Sequence, residues 1–176
     1  MNERNFSISY QSFKGLEELS ENDKALCLKA EEALNTSYSP YSRFKVGTAL
    51  QLKGGKVVLG SNQENVAYPS GLCAERVALF AIGSSDPNAV IESMAITAKT
   101  DNFVIEKPVT SCGACLQVMA EVEQKQKQEI EVLFYCINGE ILKVKGIKNL
   151  LPFVFVEARL VVWFIPVKRG FLTKNC

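Results

Sequence analysis

Residues 90–137 read VIESMAITAKTDNFVIEKPVTSCGACLQVMAEVEQKQKQEIEVLFYCI, and this segment predicts the fold class. Residues 90–98 and 130–137 are apolar runs with β-branched side chains, which predict strands. Residues 113–125 between them have the apolar spacing of a helix. A strand–helix–strand unit of this kind implies a sheet with helices packed against it.

The flanking sequence adds hairpins on both sides of this unit. Gly54-Gly55 and Asn138-Gly139 are turn pairs between short apolar runs, so each predicts a tight hairpin. Hairpins combined with a strand–helix–strand unit indicate a mixed sheet covered by helices. The predicted strands are 6–13, 45–52, 56–60, 90–98, 130–137 and 140–145, and the predicted helices run from the Ser20 capping box to about Asn35, over 73–83 (ended by Gly83), over 113–125 and, as a short helix, over 147–151.

Length and composition indicate one globular domain over residues 1–176. Hydrophobic residues make up 47% of the 176, and 20 Lys and Arg against 19 Asp and Glu leave a formal net charge of +1. A near-neutral chain has no long-range field for gripping a phosphate backbone, so we expect no nucleic-acid partner. The sequence contains no histidine, which excludes Ser–His–Asp triads, Cys–His dyads and His-ligated zinc sites.

Six cysteines remain to be explained. The first residues, MNERNFSISY, lack the apolar core of a signal peptide, and no 18-residue apolar run predicts a membrane span. We therefore expect a cytoplasmic protein whose thiols stay reduced. In that setting cysteines are more often metal ligands or catalytic groups than disulfides.

Three of the cysteines have the spacing of a metal site. Cys112-Gly-Ala-Cys115 is a Cys-x2-Cys pair at one predicted helix start, and Cys73 stands at another. Three thiolates without histidine predict a zinc ion with three protein ligands and one open position, the pattern of a catalytic site. A closed four-cysteine structural site stays open at this point. Its fourth ligand would be Cys27, Cys136 or Cys176, of which the first two are more typical of buried apolar positions.

Glu75 is the candidate catalytic side chain. It follows Cys73 by two residues at a helix start, where a carboxylate can face the metal and carry a proton. Arg76 beside it can offset the negative charge of the thiolates, and the helix starts offer N–H donors and positive partial charge to the sulfurs. Without the cysteines, Glu75 and Arg76 would be an ordinary helix-start acid and a surface ion pair.

The sequence resembles a known family at these residues. Cys73-Ala-Glu-Arg76 followed by Cys112-Gly-Ala-Cys115-Leu-Gln117 resembles the two-part signature of the cytidine deaminases, within them the small homotetrameric class with a three-cysteine zinc site. Segments 38–47 (YSPYSRFKVG), 60–68 (GSNQENVAY) and 150–155 (LLPFVF) resemble further motifs of that family in the expected order. The similarity covers about residues 20–155. It implies a three-layer α/β/α fold with a mixed five-stranded sheet, an N-terminal extension over 1–19 and an atypical tail over 156–176.

The resemblance also implies a role for each matching residue. Zinc, one ion per subunit, is implied at the three cysteines, and Glu75 is the implied proton carrier with Arg76 neutralising the thiolates. The implied substrate-binding residues are Phe44 against the pyrimidine, Asn62 and Glu64 on the ribose hydroxyls, the backbone of Ala74 on the base carbonyl, and Tyr68 and Phe155, which help to complete a neighbouring subunit's site.

The implied activity is zinc-dependent hydrolysis of free cytidine or deoxycytidine to uridine or deoxyuridine plus ammonia, in pyrimidine salvage. The implied partners are a nucleoside and further copies of the chain, as a homotetramer or a dimer, with no membrane partner. Deamination of another free aminopyrimidine, such as blasticidin S, is an alternative within the fold. A structural zinc module without catalysis is an alternative of another class.

Four departures from the family pattern bear on these expectations. Ser111 stands where the family usually has proline, Leu116 where it has arginine and Val77 where it has threonine. Residues 156–176 extend beyond the usual end of the family. The apolar run 154–167 predicts a last strand or packed extension, with a partner-binding tail as the alternative.

Overall fold

The computed structural model describes residues 1–157, which form one six-stranded mixed sheet with helices on both faces. Residues 158–176, including most of the predicted tail, lie outside the described residues. The strands are β1 (Gln11–Phe13), β2 (Phe44–Leu52), β3 (Val57–Ser61), β4 (Ile91–Thr100), β5 (Glu131–Tyr135) and β6 (Ile141–Lys145), and the helices are α1 (Glu21–Ala33), α2 (Ala74–Ser85) and α3 (Gly113–Gln126).

The strand order is β1-β6-β5-β4-β2-β3. Strands β4 and β5 are parallel, with Ala95 opposite Leu133, and α3 makes the crossover between them. All other neighbours are antiparallel, including the two predicted hairpins. In the first hairpin both Gly54 and Gly55 adopt a φ of 95°, a conformation in which a side chain would be strained.

The two faces of the sheet bury two separate apolar clusters. Helix α1 covers one face, with Leu26 and Cys27 buried against strand residues such as Ala95 and Leu133. Helices α2 and α3 cover the other face, where Met119 packs with side chains that include Phe134. This arrangement confirms the predicted three-layer α/β/α architecture.

The sheet has six strands, so the expected five-stranded sheet is wrong in that detail. The additional strand is β1, which pairs antiparallel with β6 and places Phe13 opposite Ile141. It covers an edge of β6 that would otherwise expose unpaired backbone groups. Only residues 11–13 of the predicted strand 6–13 pair in this way; Phe6, Ile8 and Tyr10 are exposed and lie outside any strand.

Helix boundaries follow local chemistry. The Ser20 hydroxyl accepts a hydrogen bond from the Asp23 N–H, which caps α1 as its sequence predicts. Helix α2 continues past Gly83 to Ser85, so Gly83 does not end it. The helix stops instead at Asp86, which precedes Pro87 and is therefore disfavoured in the helical region. The predicted short helix near 147 is a 3₁₀ turn, Ile147–Asn149.

Within residues 1–157, every helix is too short or too polar to cross a lipid bilayer.

Candidate active site

Helices α2 and α3 begin side by side and bring the three predicted cysteines together. Cys73 and Cys112 are the N-cap residues of the two helices, and Cys115 lies in the first turn of α3. Their Sγ atoms all lie within 4.8 Å of one another. Neither N-cap sulfur accepts a hydrogen bond from its own helix, so the helices stabilise the thiolates through their dipoles and not by direct N–H contacts.

The spacing of the sulfurs fits one zinc ion. The Sγ atom of Cys112 is 3.9 Å from that of Cys73 and 3.5 Å from that of Cys115. Tetrahedral zinc with Zn–S bonds of about 2.3 Å holds neighbouring sulfurs about 3.8 Å apart. The donor set and its spacing therefore fit a three-cysteine zinc site.

The remaining described cysteines lie elsewhere. Cys27 is a buried residue of α1, and burial in particular raises the pKa of its thiol to about 12. The thiol of Cys136 donates to the carbonyl of Ile105 over 3.3 Å. Neither joins the sulfur cluster in the part of the chain that the structure describes, and Cys176 lies outside that part. A closed site that uses Cys27 or Cys136 as its fourth ligand is therefore contradicted.

Arg76 supplies the positive charge that the thiolates need. Its Nη2 lies 3.8 Å from the Sγ of Cys73. The neighbouring Cys115 thiol and then Arg76 lower the pKa of Cys73 to about 5, whereas the pKa of Cys115 is raised because it donates to Cys73 and is desolvated. These surroundings favour the thiolate at Cys73 and the thiol at Cys115, and a bound cation favours the thiolate at both.

Glu75 is buried beside this cluster. Its side chain belongs to the first turn of α2 and the residue is only 4% exposed. Burial raises the pKa of its carboxyl, with the charge of Cys73 acting in the same direction, whereas Ser111 acts to lower it. A carboxyl group in such surroundings can both take up and release a proton.

A cavity of about 610 Å³ opens over the cluster and is large enough for a nucleoside. Glu75 and two of the sulfurs, those of Cys73 and Cys112, lie in its wall. The loop between β3 and α2 forms much of the remainder. Among the sequence-predicted residues, those that line it are Asn62, Glu64, Tyr68, Cys73, Glu75, Arg76 and Cys112.

The side chain of Asn62 forms three hydrogen bonds with neighbouring segments of the chain. Its Oδ1 accepts hydrogen bonds from the Val46 N–H over 2.8 Å and from the Ser37 hydroxyl over 2.6 Å. Its Nδ2 donates to the carbonyl of Phe44 over 2.8 Å. These bonds hold the start of β2 against the cavity.

The side chain of Glu64 likewise forms three hydrogen bonds, all with the loop before β2. Its carboxylate accepts the N–H of Tyr41 over 2.9 Å, the N–H of Ser42 over 3.2 Å and the hydroxyl of Ser42. Burial acts to raise the pKa of Glu64, but the donors from Ser42 and Tyr41 outweigh it and leave the pKa below its usual value. The carboxylate is therefore held ionised and in a fixed position.

The other predicted substrate residues have different surroundings. The ring of Phe44 packs on Phe103 with centroids 6.3 Å apart and is outside the cavity lining. Ala74 is buried as the first residue of α2 and also lies behind the lining. Tyr68 is 75% exposed and makes an edge contact with Tyr41. Phe155 is 70% exposed and does not line the cavity.

The sequence did not reveal several residues that contact or position the predicted site residues. Ser42 and Tyr41 fix Glu64, and Ser111 lies close enough to affect the Glu75 carboxyl. Ser42 lies within the quoted 38–47 segment, so its small hydroxyl next to Tyr41 was a signal for a turn that binds a carboxylate. Gln117, at the end of the cysteine motif, also forms hydrogen bonds that the sequence did not predict.

Comparison with known proteins points to one family. The family model described as the cytidine and deoxycytidylate deaminase zinc-binding region matches residues 1–110, which include Cys73 and Glu75. The chain is 39% identical over 134 residues to a cytidine deaminase of Halalkalibacterium halodurans, covering 76% of this chain and 94% of that protein.

Solved structures agree with this result. The cytidine deaminase of Burkholderia pseudomallei matches with a TM-score of 0.65 and 35% identity, covering 78% of this chain and all of that one. The cytidine deaminase of Mycobacterium tuberculosis matches with a TM-score of 0.60 and 27% identity over the same shares. With its three-cysteine zinc site and buried glutamate, this chain belongs to the cytidine and deoxycytidylate deaminase family.

Proposed function

We propose that the protein hydrolyses free cytidine and deoxycytidine to uridine and deoxyuridine with release of ammonia, as a step of pyrimidine salvage. The observation that supports this most is the buried Glu75 carboxyl in the same cavity wall as the zinc-binding sulfurs. Relatives named cytidine deaminase, which the chain covers almost completely, support the choice of substrate.

In the proposed mechanism the three cysteines hold the zinc ion, and Glu75 carries protons. When bound by Cys73, Cys112 and Cys115, zinc supplies a Lewis acid that lowers the pKa of water to near 7. Glu75 takes a proton from the attacking water and delivers it to N3 of the base. The water oxygen forms the new C4–O bond while the N3–C4 double bond becomes single. Glu75 then takes the remaining water proton from the C4 hydroxyl and hands it to the amine, so that C4=O forms, the C4–N4 bond breaks and ammonia leaves.

The loop residues are proposed to bind the sugar. An amide has two N–H donors, and the Asn62 amide uses one of them on Phe44. A carboxylate has about four acceptor positions, and that of Glu64 uses three on Tyr41 and Ser42. The remaining donor and the remaining acceptor together match one hydroxyl group, which both accepts and donates.

The base is proposed to lie against Phe44 with its carbonyl on the N–H of Ala74. In the structure the Phe44 ring packs on Phe103, so this role requires the ring or the adjoining 101–104 loop to move when a nucleoside binds. The Ala74 N–H is one of the free donors at the start of α2, which suits a carbonyl oxygen.

We further propose a single domain over 1–176, with 1–19 as an N-terminal extension and 156–176 as a tail, that acts as a cytoplasmic homotetramer. Tyr68, Phe153 and Phe155 are large, exposed and apolar, which supports burial in an assembly. Tyr68 lies at the cavity mouth, and Phe155 is proposed to reach a neighbouring copy's cavity. Free thiols stay reduced in the cytoplasm, which is consistent with the proposed location.

The test is a paired assay of zinc content and of the loss of cytidine absorbance near neutral pH. We expect one zinc per chain and turnover. Glu75→Gln keeps the size of the side chain but cannot carry a proton, so it should lower kcat about 10²–10⁴-fold with zinc unchanged. The control Glu121→Gln, at an exposed position of α3, should leave kcat within about twofold.

Each contrary outcome has a distinct meaning. A zinc-loaded protein without turnover of cytidine or of any free aminopyrimidine contradicts catalysis and indicates a zinc-binding module. Turnover of another aminopyrimidine, such as blasticidin S, without turnover of cytidine contradicts the nucleoside assignment alone.

A further inference from the structure

Gln117 of α3 pairs with the backbone of Phe155 through both ends of its side-chain amide. Its Nε2 donates to the Phe155 carbonyl over 2.9 Å, and the Phe155 N–H donates to its Oε1 over 3.1 Å. Residues 151–157 form no helix or strand that could satisfy these backbone groups. Gln117 therefore supplies the pairing that a neighbouring strand would otherwise provide.

The segment around Phe155 is held at two adjacent points. Val154 is half-buried and packs against the apolar cluster beneath α2 and α3. The Gln117 amide then holds the next residue by its backbone. The rings on either side of Val154 remain outside, because Phe153 is 92% exposed and Phe155 is 70% exposed. The contacts thus fix the backbone and leave the rings free to meet another surface.

The position of Gln117 links this segment to the zinc site. Gln117 follows Cys115 by two residues, so it belongs to the first turns of the helix that carries two of the three sulfurs. A helix is stiff over so short a distance, since each residue is held by hydrogen bonds along the axis. The backbone of Phe155 is therefore fixed with respect to Cys112 and Cys115.

We propose that Gln117 is a positioning residue that holds the Phe155 ring in place to complete the substrate cavity of a second copy of the chain. This inference rests on the proposed function, in which Phe155 serves a neighbouring cavity. Gln117 does not line the cavity of its own chain, so it acts through Phe155.

The first experiment compares Gln117→Met with Gln124→Met in the full-length, zinc-loaded protein. Methionine has a similar length and a similar helix propensity but cannot form the two hydrogen bonds. Gln124 is exposed on the same helix and serves as the matched control. Amide hydrogen exchange of the 153–157 segment should accelerate about tenfold in Gln117→Met, as expected for the loss of a hydrogen-bonded pair, and should not change in Gln124→Met.

The second experiment places Gln117→Met in a double-mutant cycle with Phe155→Ala. Gln117→Met alone should raise the KM for cytidine about threefold to tenfold, with kcat within about twofold and one zinc per chain. In the Phe155→Ala background it should change KM by less than about twofold, because the residue through which it acts is already gone.

The outcomes separate this inference from the proposed function. Unchanged exchange at 153–157, or an equal rise in KM with and without the Phe155 ring, overturns the positioning role. If the unaltered protein does not deaminate cytidine, the proposed function fails first, and the exchange measurement still decides whether Gln117 holds Phe155.

Discussion

At the scale of single residues, the loop side chains Asn62 and Glu64 line the cavity and also hold neighbouring segments of the chain by hydrogen bonds. Most of their hydrogen-bonding capacity is used on Ser37, Val46 and the 41–44 backbone. Such internal bonds fix both side chains before a ligand arrives, which lowers the entropy cost of binding. What remains is one donor and one acceptor.

The unused donor of Asn62 and the unused acceptor of Glu64 predict how strongly the protein discriminates between nucleosides with different sugars. One hydroxyl satisfies both groups, and we assign it as the 3′-hydroxyl, which deoxycytidine retains. We therefore expect kcat/KM for cytidine and deoxycytidine to agree within about tenfold. An analogue that lacks both ribose hydroxyls leaves the remaining Asn62 donor and Glu64 acceptor covered by the ligand without a partner, and should lose about 10²-fold or more. Steady-state kinetics with cytidine, deoxycytidine and 2′,3′-dideoxycytidine measure this. Discrimination above about 10²-fold between the first two would contradict the one-hydroxyl assignment.

The sequence predicted which residues form the site better than it predicted which neighbours those residues contact. The spacing of Cys73, Cys112 and Cys115 predicted their convergence, because two helix starts at one sheet edge bring N-cap residues together. The packing of Phe44 on Phe103 could not be predicted. That contact joins the first residue of β2 to the loop after β4, far apart in the sequence, and a motif states which residue is present but not which neighbour its ring meets.

At the scale of elements, α2 lies unusually close to β3. A Cβ atom on Gly60 would lie 2.6 Å from the Ala74 carbonyl and 2.8 Å from both the N and the Cβ of Ala78. The absence of a side chain at Gly60 therefore sets how closely the start of α2, with Cys73 and Glu75, approaches the sheet. Element type and order were predictable from apolar periodicity, but this close approach was not, since it depends on backbone positions in two elements.

Gly60→Ala should consequently lower the free energy of unfolding by about 1–3 kcal/mol, because the backbone of α2 must move. The matched control is Gly83→Ala within α2 itself, where an added Cβ meets nothing within 4 Å. That change should be neutral or stabilising by up to about 1 kcal/mol. Urea unfolding of the zinc-loaded proteins measures both. Equal stabilities of the two variants would show that the close approach does not constrain α2.

At the scale of the whole molecule, the three-layer architecture was predictable because hairpins and a strand–helix–strand unit restrict the possible sheets. The sixth strand was the exception. Its alternating pattern was visible at 6–13, but the family resemblance of the sequence implied five strands, and only the edge pairing of Gln11–Phe13 with β6 establishes the sixth. Exposed aromatic residues, in turn, make a prediction about assembly.

The proposed homotetramer predicts a particle of about four times the chain mass of 19.5 kDa. The large apolar surface that Tyr68, Phe153 and Phe155 leave exposed supports assembly. Light scattering coupled to size-exclusion chromatography gives the mass. Tyr68→Ser should shift the distribution towards smaller species, whereas Lys53→Ser, which removes a polar side chain outside the cavity, should not. A single-chain mass for the unaltered protein would contradict the assembly.

The proposed activity depends on a zinc ion that binds three sulfurs and keeps one position for the reaction, and X-ray absorption at the zinc edge of the loaded protein measures those neighbours. We expect three sulfur neighbours at about 2.3 Å and one lighter neighbour at about 2.0 Å. Four sulfur neighbours would show a closed structural site and exclude the proposed catalysis.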